Sequence, residues 1–110
     1  MSRRTEDAVI VRLLSEAVEE ANDAALWYGN RRHGLGDEFL ADLQSALAAI
    51  AERPRGMPVL ECYSGSHNIR RYILRRFPYI VVFTHDTEEC LVVAVAHTRR
   101  RPFYWRSRLV

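Results

Sequence analysis

The sequence contains no lysine, so all 16 of its basic residues are arginine. Its two cysteines, Cys62 and Cys90, are too few for a disulfide framework, and they lack the CxxC spacing of a zinc site. The longest apolar stretch, Cys90 to Ala96, is far shorter than the roughly 20 residues that cross a bilayer. No basic N-terminal segment leads into an apolar core and a cleavage site, which argues against secretion. These absences predict a cytoplasmic protein with reduced thiols and no membrane contact.

Several catalytic signatures are also missing. There is no GxSxG motif and no glycine-rich phosphate loop. The four histidines show neither HxH nor HExxH spacing, so we expect no metal and no cofactor. Only His97 is a candidate for acid–base chemistry, because it lies beside an arginine cluster, and a packing role is the simpler interpretation of it.

The composition that remains is typical of one globular domain spanning residues 1–110, with 48% hydrophobic and 27% charged residues. Charge is divided unevenly, since residues 1–69 carry a formal charge of −4 and residues 70–110 carry +6. Guanidinium groups suit the recognition of phosphate and carboxylate. A genome that favours arginine codons would explain arginine in place of lysine, but it would not explain nine arginines in the last 41 residues.

The first half of the chain shows helical spacing. A β-branched run over residues 7–14 predicts a strand, and Ser15 is a suitable N-cap for a helix that ends near Gly34. A second helix is predicted from Asp37 to Arg53, where Pro54 stops it. Because the segment between them is short, the two helices fold back as an αα-hairpin. The acidic residues of the first helix point away from its apolar face: Glu16, Glu19, Glu20 and Asp23.

After Pro54 the apolar spacing shortens to two residues, which is typical of strands. Strands are predicted over residues 69–76, 79–85 and 90–96, and an edge strand over 59–63 is a weaker prediction because proline and glycine flank it. The turns between the three main strands are too short for parallel crossovers, so these strands form an antiparallel meander. We therefore predict an α+β fold in which an N-terminal strand precedes an αα-hairpin packed on one face of the meander.

The segment 97–106 is the most unusual part of the sequence, since it mixes four arginines with three aromatic residues. Arginine forks bind phosphate and aromatic rings stack on unpaired bases, a combination that suits RNA. Alternatively, the aromatic residues pack the C-terminal tail over the sheet while the arginines stay in solvent. On the preceding strand, Arg71 and Arg75 share one face and Arg70 and Arg76 the other. Either pair could join the segment in a basic patch, or simply keep the strand soluble.

This element order and a set of motifs resemble the RelE/ParE superfamily of bacterial type II toxins, often labelled plasmid stabilisation system proteins. The resemblance covers about residues 8–106. It rests on Trp27-Tyr28, Gly34-Leu35-Gly36, Phe39, Ile69-Arg70-Arg71, Phe77-Pro78-Tyr79, Val95-Ala96-His97, Arg99-Arg100, Pro102 and Tyr104-Trp105.

The resemblance implies a toxin that a cognate antitoxin, encoded beside it, neutralises. The antitoxin is expected to be acidic, to match the basic C-terminal part of the chain, and the pair to assemble as a heterotetramer. The superfamily has two known activities. RelE-like members cut messenger RNA in the ribosomal A site without a metal, whereas ParE-like members are not nucleases and poison DNA gyrase.

The ribonuclease pattern fits this sequence only in part. Arg71 and Arg99 match two of its catalytic positions, and its C-terminal tyrosine aligns with Trp105 or, after a slip of one residue, with Tyr104, which would then be the catalytic tyrosine. Two further positions that carry cations in the ribonucleases are Ile73 and Ile80 here. An isoleucine neither stabilises phosphorane-like charge nor moves a proton.

The departures from the ribonuclease pattern favour a ParE-like inhibitor of DNA gyrase that is not an enzyme. The candidate target-binding residues are then Arg75, His97, Arg100, Arg101 and Trp105. Two alternatives stay open: a RelE-like, metal-independent endoribonuclease that acts on the ribosome, and a stand-alone RNA-binding module.

Overall fold

The computed structural model describes residues 9–59, 68–86 and 88–109. They form β1 (Ile10–Leu13), α1 (Ser15–Arg31), α2 (Leu35–Glu52), β2 (Ile69–Ile73), β3 (Tyr79–His85) and β4 (Glu89–His97), with 3₁₀ helices at Pro54–Gly56 and Tyr104–Leu109. The predicted order of a strand, a helical hairpin and a meander is confirmed. Cys62 and the predicted edge strand beyond Val59 lie outside the described residues.

The sheet has the strand order β1-β4-β3-β2. The strands β2, β3 and β4 pair antiparallel, as predicted, with Val81 opposite both Tyr72 and Val95. The edge strand β1 pairs parallel to β4, with Leu13 opposite Val92. This parallel pairing is possible because the chain between β1 and β4 is long enough for a crossover.

Both helices lie on the same face of the sheet, which confirms the α+β prediction. Their buried residues recur at spacings of three and four, as expected of an amphipathic helix. They are Ala17, Ala21 and Ala24 on α1, and Phe39, Leu43, Ala46 and Ile50 on α2. In the sheet they pack against Val81, Phe83, Cys90, Val92 and Val95. Burial raises the pKa of the free Cys90 thiol to about 11.

The helix starts differ from the predictions by one or two residues. Leu14, not Ser15, is the N-cap of α1: its backbone is extended and its carbonyl accepts the Val18 N–H at 3.0 Å. The Ser15 hydroxyl bonds to Glu16 instead of capping a backbone N–H. Gly34, with a φ of 85°, makes the turn between the helices, so α2 begins at Leu35.

A β-bulge divides β4 into two parts. Val82 lies opposite Ala94 and Phe83 opposite Val92, so Val93 is an extra residue on β4. The bulge turns Val93 and Ala94 toward the face opposite the helices. There they form a second, smaller cluster of buried residues with Ile69, Val82, Ala96 and Trp105.

The strand β2 is shorter than predicted, ending at Ile73 instead of residue 76. The chain turns there, since the Leu74 N–H donates to the Tyr79 carbonyl at 2.9 Å. Leu74 and Phe77 are then buried in the core on the helix side. In the part of the chain that the structure describes, no helix is long and apolar enough to cross a membrane.

Candidate target-binding site

The C-terminal segment, residues 98–109, covers the sheet face opposite the helices. It leaves β4 through a turn in which the Thr98 N–H donates to the Pro78 carbonyl at 2.9 Å. Trp105 is 3% exposed within the second cluster, and its ring meets that of Phe103 edge to face at 5.8 Å. Phe103 has a φ of 62°, a conformation that non-glycine residues seldom adopt. The aromatic residues thus pack the tail over the sheet, while Arg99, Arg100, Arg101 and Arg106 are exposed.

A groove of about 750 Å³ lies between this segment and the strand β2. Apolar side chains from β3, β4 and the segment line it, including Ile80, Val82, Ala96 and Phe103. Arg71, Arg100 and Arg101 also line it, and none of the described residues around it is acidic. A surface of this kind suits a partner that presents apolar groups beside negative charge. We call it the basic groove.

The structure brings most of the predicted site residues to the basic groove. Arg71, His97, Arg100, Arg101, Tyr104 and Trp105 all line it. Arg75 lies in the turn after β2 and Arg99 in the turn after β4, both exposed, and neither lines the groove. Their roles in binding or catalysis stay predictions.

The arginines of β2 and the turn after it serve different purposes. Arg70 is anchored, because its Nη1 donates to the carbonyls of Met57 at 2.8 Å and Arg55 at 3.3 Å. Arg76 forms an ion pair with Glu38 at 2.7 Å. Arg71 lines the groove instead. Arg71 is therefore the arginine of β2 that a ligand in the basic groove would meet.

One residue that bonds to the site was missed by sequence analysis. Glu20 on α1, assigned to the solvent side of the helix, accepts hydrogen bonds from the Tyr104 hydroxyl at 2.5 Å and from Arg108 at 3.0 Å. It also accepts the backbone N–H of Val95 at 2.9 Å. These partners lie 75 to 88 residues away in sequence, so no local pattern could have revealed them.

Comparison with known proteins places this fold in a family. The model of the ParE toxin of type II toxin–antitoxin system, parDE, matches residues 8–102. The chain belongs to the ParE toxin family. This confirms the resemblance to the RelE/ParE superfamily drawn from the sequence.

A solved structure supports the same fold for this ParE family member. A chain of the structure described as "Chromosomal ParDE TA system from P. aeruginosa" aligns with a TM-score of 0.63 at 12% identity. The alignment covers 83% of this chain and 97% of that one. No curated protein matches the sequence.

The basic groove of this ParE family member offers cations and apolar surface, but its polar side chains are poorly suited to move protons. Burial and the hydrogen bond to Glu20 raise the pKa of Tyr104 far above its ordinary value, so its hydroxyl gives up a proton even less readily than that of an ordinary tyrosine. The Nδ1 of His97 already accepts the Arg99 N–H at 3.0 Å. Ile80 lines the groove, and Ile73 is 54% exposed at the end of β2. These are the two isoleucines at positions where the resemblance drawn from the sequence leads us to expect cations in a ribonuclease.

Proposed function

We propose that this chain is a type II toxin that inhibits bacterial DNA gyrase in the cytoplasm without cleaving nucleic acid. One observation carries the choice: the basic groove combines three arginines with apolar side chains, while the Tyr104 hydroxyl is held by Glu20. Metal-free RNA cleavage needs a base, an acid and charge stabilisation together. A groove that combines cations with apolar side chains is better suited to binding a protein surface.

We further propose that an acidic antitoxin neutralises the toxin by covering apolar surface on the helical hairpin and the sheet edge, in a heterotetramer of the two proteins. Four large hydrophobic residues stand exposed on β1 and α1: Ile10 at 65% on the edge strand β1, and Val18 at 41%, Leu26 at 65% and Trp27 at 52% on α1. A strand or an amphipathic helix of a partner typically covers such a surface.

The test of gyrase inhibition compares matched arginine variants. The double variant Arg100→Ala/Arg101→Ala removes two cations from the basic groove, and Arg106→Ala removes an exposed cation of the same segment outside it. We expect the double variant to need about tenfold more protein to inhibit supercoiling by purified gyrase, and Arg106→Ala to act like the wild type. On induction, the wild type should cause DNA breaks while messages stay intact.

The second candidate is the RelE-like ribonuclease, which one observation favours: Arg71, His97 and Tyr104 line the same groove. It predicts message cleavage in phase with codons on induction, abolished by Arg71→Ala, and that result would overturn gyrase inhibition as the function. A stand-alone RNA-binding module would instead bind RNA with a steep salt dependence and leave growth unchanged.

A further inference from the structure

We propose that Glu20 is a positioning residue that sets the shape of the basic groove, although it does not line the groove itself. It acts through Tyr104 and Arg108, the two partners of its carboxylate on the C-terminal 3₁₀ helix. The proposal concerns how the toxin presents its groove to the target, and in that respect it rests on the proposed function.

The need for a carboxylate at this place comes from the end of β1. Pairing between β1 and β4 stops at Val92, directly before the bulge at Val93. At the bulge and just beyond it, two backbone groups of β4 bond to side chains instead of to a neighbouring strand. The Val95 N–H donates to Glu20 at 2.9 Å, and the Val93 carbonyl accepts from Arg108 at 3.0 Å. A buried backbone group without a hydrogen-bond partner is costly. These two side chains therefore supply the hydrogen bonds that β1 would make if it extended further along β4.

The same carboxylate holds the C-terminal 3₁₀ helix. Arg108 donates to both oxygens of Glu20 at 3.0 Å, and the side chains of the pair are only 16% exposed. The Tyr104 hydroxyl donates to Glu20 Oε2 at 2.5 Å. The hydrogen bonds that Arg108 donates to Glu20 raise the pKa of the Arg108 guanidinium. A partly buried ion pair is strongly disrupted when one charge is removed, because the other is left without compensation.

Tyr104 connects Glu20 to the basic groove. The guanidinium of Arg100 lies 3.7 Å from the centre of the Tyr104 ring, a distance typical of cation–π contact. Tyr104 and Arg100 both line the basic groove, while the hydroxyl at the far end of the same ring is bound to Glu20. A loosened ring would therefore displace the arginine that stacks on it.

The test changes the charge of Glu20 with little change in its size. Glu20→Gln keeps one acceptor oxygen but loses the ion pair with Arg108, and Glu19→Gln makes the same change at an exposed neighbour. We expect Glu20→Gln to inhibit gyrase about tenfold less well, as the loss of one charged hydrogen bond implies, and Glu19→Gln to match the wild type. Circular dichroism should show Glu20→Gln fully folded at the assay temperature.

A second measurement follows the C-terminal segment directly. The chain has two tryptophans, so Trp27→Phe leaves buried Trp105 as the only tryptophan, whose emission is excited selectively at wavelengths that tyrosine does not absorb. In that background we expect Glu20→Gln to shift the Trp105 emission to longer wavelength and to increase its quenching by acrylamide. Glu19→Gln should change neither. This measurement needs no target, so it tests the positioning role even if the wild type does not inhibit gyrase, with growth arrest then replacing the supercoiling assay.

Three outcomes would overturn the proposal. In the first, Glu20→Gln is folded and inhibits as well as Glu19→Gln. In the second, the Trp105 emission of Glu20→Gln shifts but its potency is retained. In the third, the potency of Glu20→Gln falls only in proportion to its unfolded fraction. If Glu20→Gln does not fold, Tyr104→Phe decides. It removes only the hydroxyl that reaches Glu20, and we expect a several-fold loss of potency from a folded protein, whereas unchanged potency would contradict the positioning role.

Discussion

At the scale of single residues, the contact between the two helices depends on the absence of one methyl group. A Cβ added at Gly36 would lie 2.4 Å from the Ala25 carbonyl oxygen, which belongs to the backbone of α1. No side-chain rotation relieves that overlap, so the helices would have to separate. The glycine therefore permits the close approach on which the hairpin is built.

Gly36→Ala should lower the free energy of unfolding by about 2 kcal/mol, because overpacking against backbone costs about 1–3 kcal/mol. Gly29→Ala is the matched control. It is also a helical glycine, but nothing lies within 4 Å of its added Cβ, so we expect it to raise stability by about 0.5–1 kcal/mol. Urea unfolding of both variants measures the difference, and equal effects of the two would refute the close approach of the helices.

At the scale of elements, the C-terminal 3₁₀ helix serves both as a cover for the sheet and as a wall of the basic groove. Its Trp105 packs on Ile69, Val82, Val93 and Ala94, all of them buried. Truncation after Arg101 would uncover this cluster, so a loss of toxicity in a truncated chain would not by itself demonstrate target contact. Point substitutions of exposed arginines separate the two roles.

Substitution of each tryptophan measures how much the packing of the C-terminal 3₁₀ helix on the sheet contributes to stability. Trp105→Ala should lower the free energy of unfolding by about 3–5 kcal/mol, the usual cost of removing a large buried aromatic side chain. Trp27→Ala, at a residue 52% exposed, should cost under about 1 kcal/mol, including its cation–π contact with Arg31. Thermal or guanidinium unfolding compares them. A cost for Trp105→Ala no larger than for Trp27→Ala would mean that the segment contributes little to stability.

At the scale of the whole molecule, charge is separated along the chain, with −4 over residues 1–69 and +6 over residues 70–110. Part of this separation is also present in the folded structure. Three arginines from residues 70–110 line one groove, and none of the described residues that line it is acidic. A field of this kind raises the rate at which an acidic protein meets the toxin, whichever surface that protein finally covers.

Association with the acidic antitoxin, taken from the neighbouring reading frame of the native host, should therefore depend on salt. We expect its association rate to fall about tenfold between roughly 0.05 M and roughly 0.5 M salt, and its dissociation rate to change much less. Stopped-flow fluorescence or surface binding kinetics would measure both rates. An association rate that does not respond to salt, or the absence of a small acidic partner in pulldowns from that host, would contradict the proposed pairing.

Much of the fold was predictable from local pattern. The apolar run from Tyr79 to His85 predicts β3 with the bounds that the structure has, because turn residues bracket it on both sides. The helical faces follow from apolar spacing, since burial of one stripe is the main source of helix stability in proteins. The prediction of Ser15 as the N-cap was wrong. The strand β1 ends at Leu13, and the Leu14 N–H still donates to the Val92 carbonyl, so Leu14 is the last residue before the helix.

The tertiary structure decided what local pattern does not encode. The bulge at Val93 and the parallel pairing of β1 with β4 depend on register between distant segments, and three successive apolar residues look the same whichever face each one takes. The bonds of Glu20 to Tyr104 and Arg108 span 84 and 88 residues. Periodicity reports only which side of an element is apolar. Whether a charged residue on the other side meets solvent or a partner depends on which segments packing brings beside it.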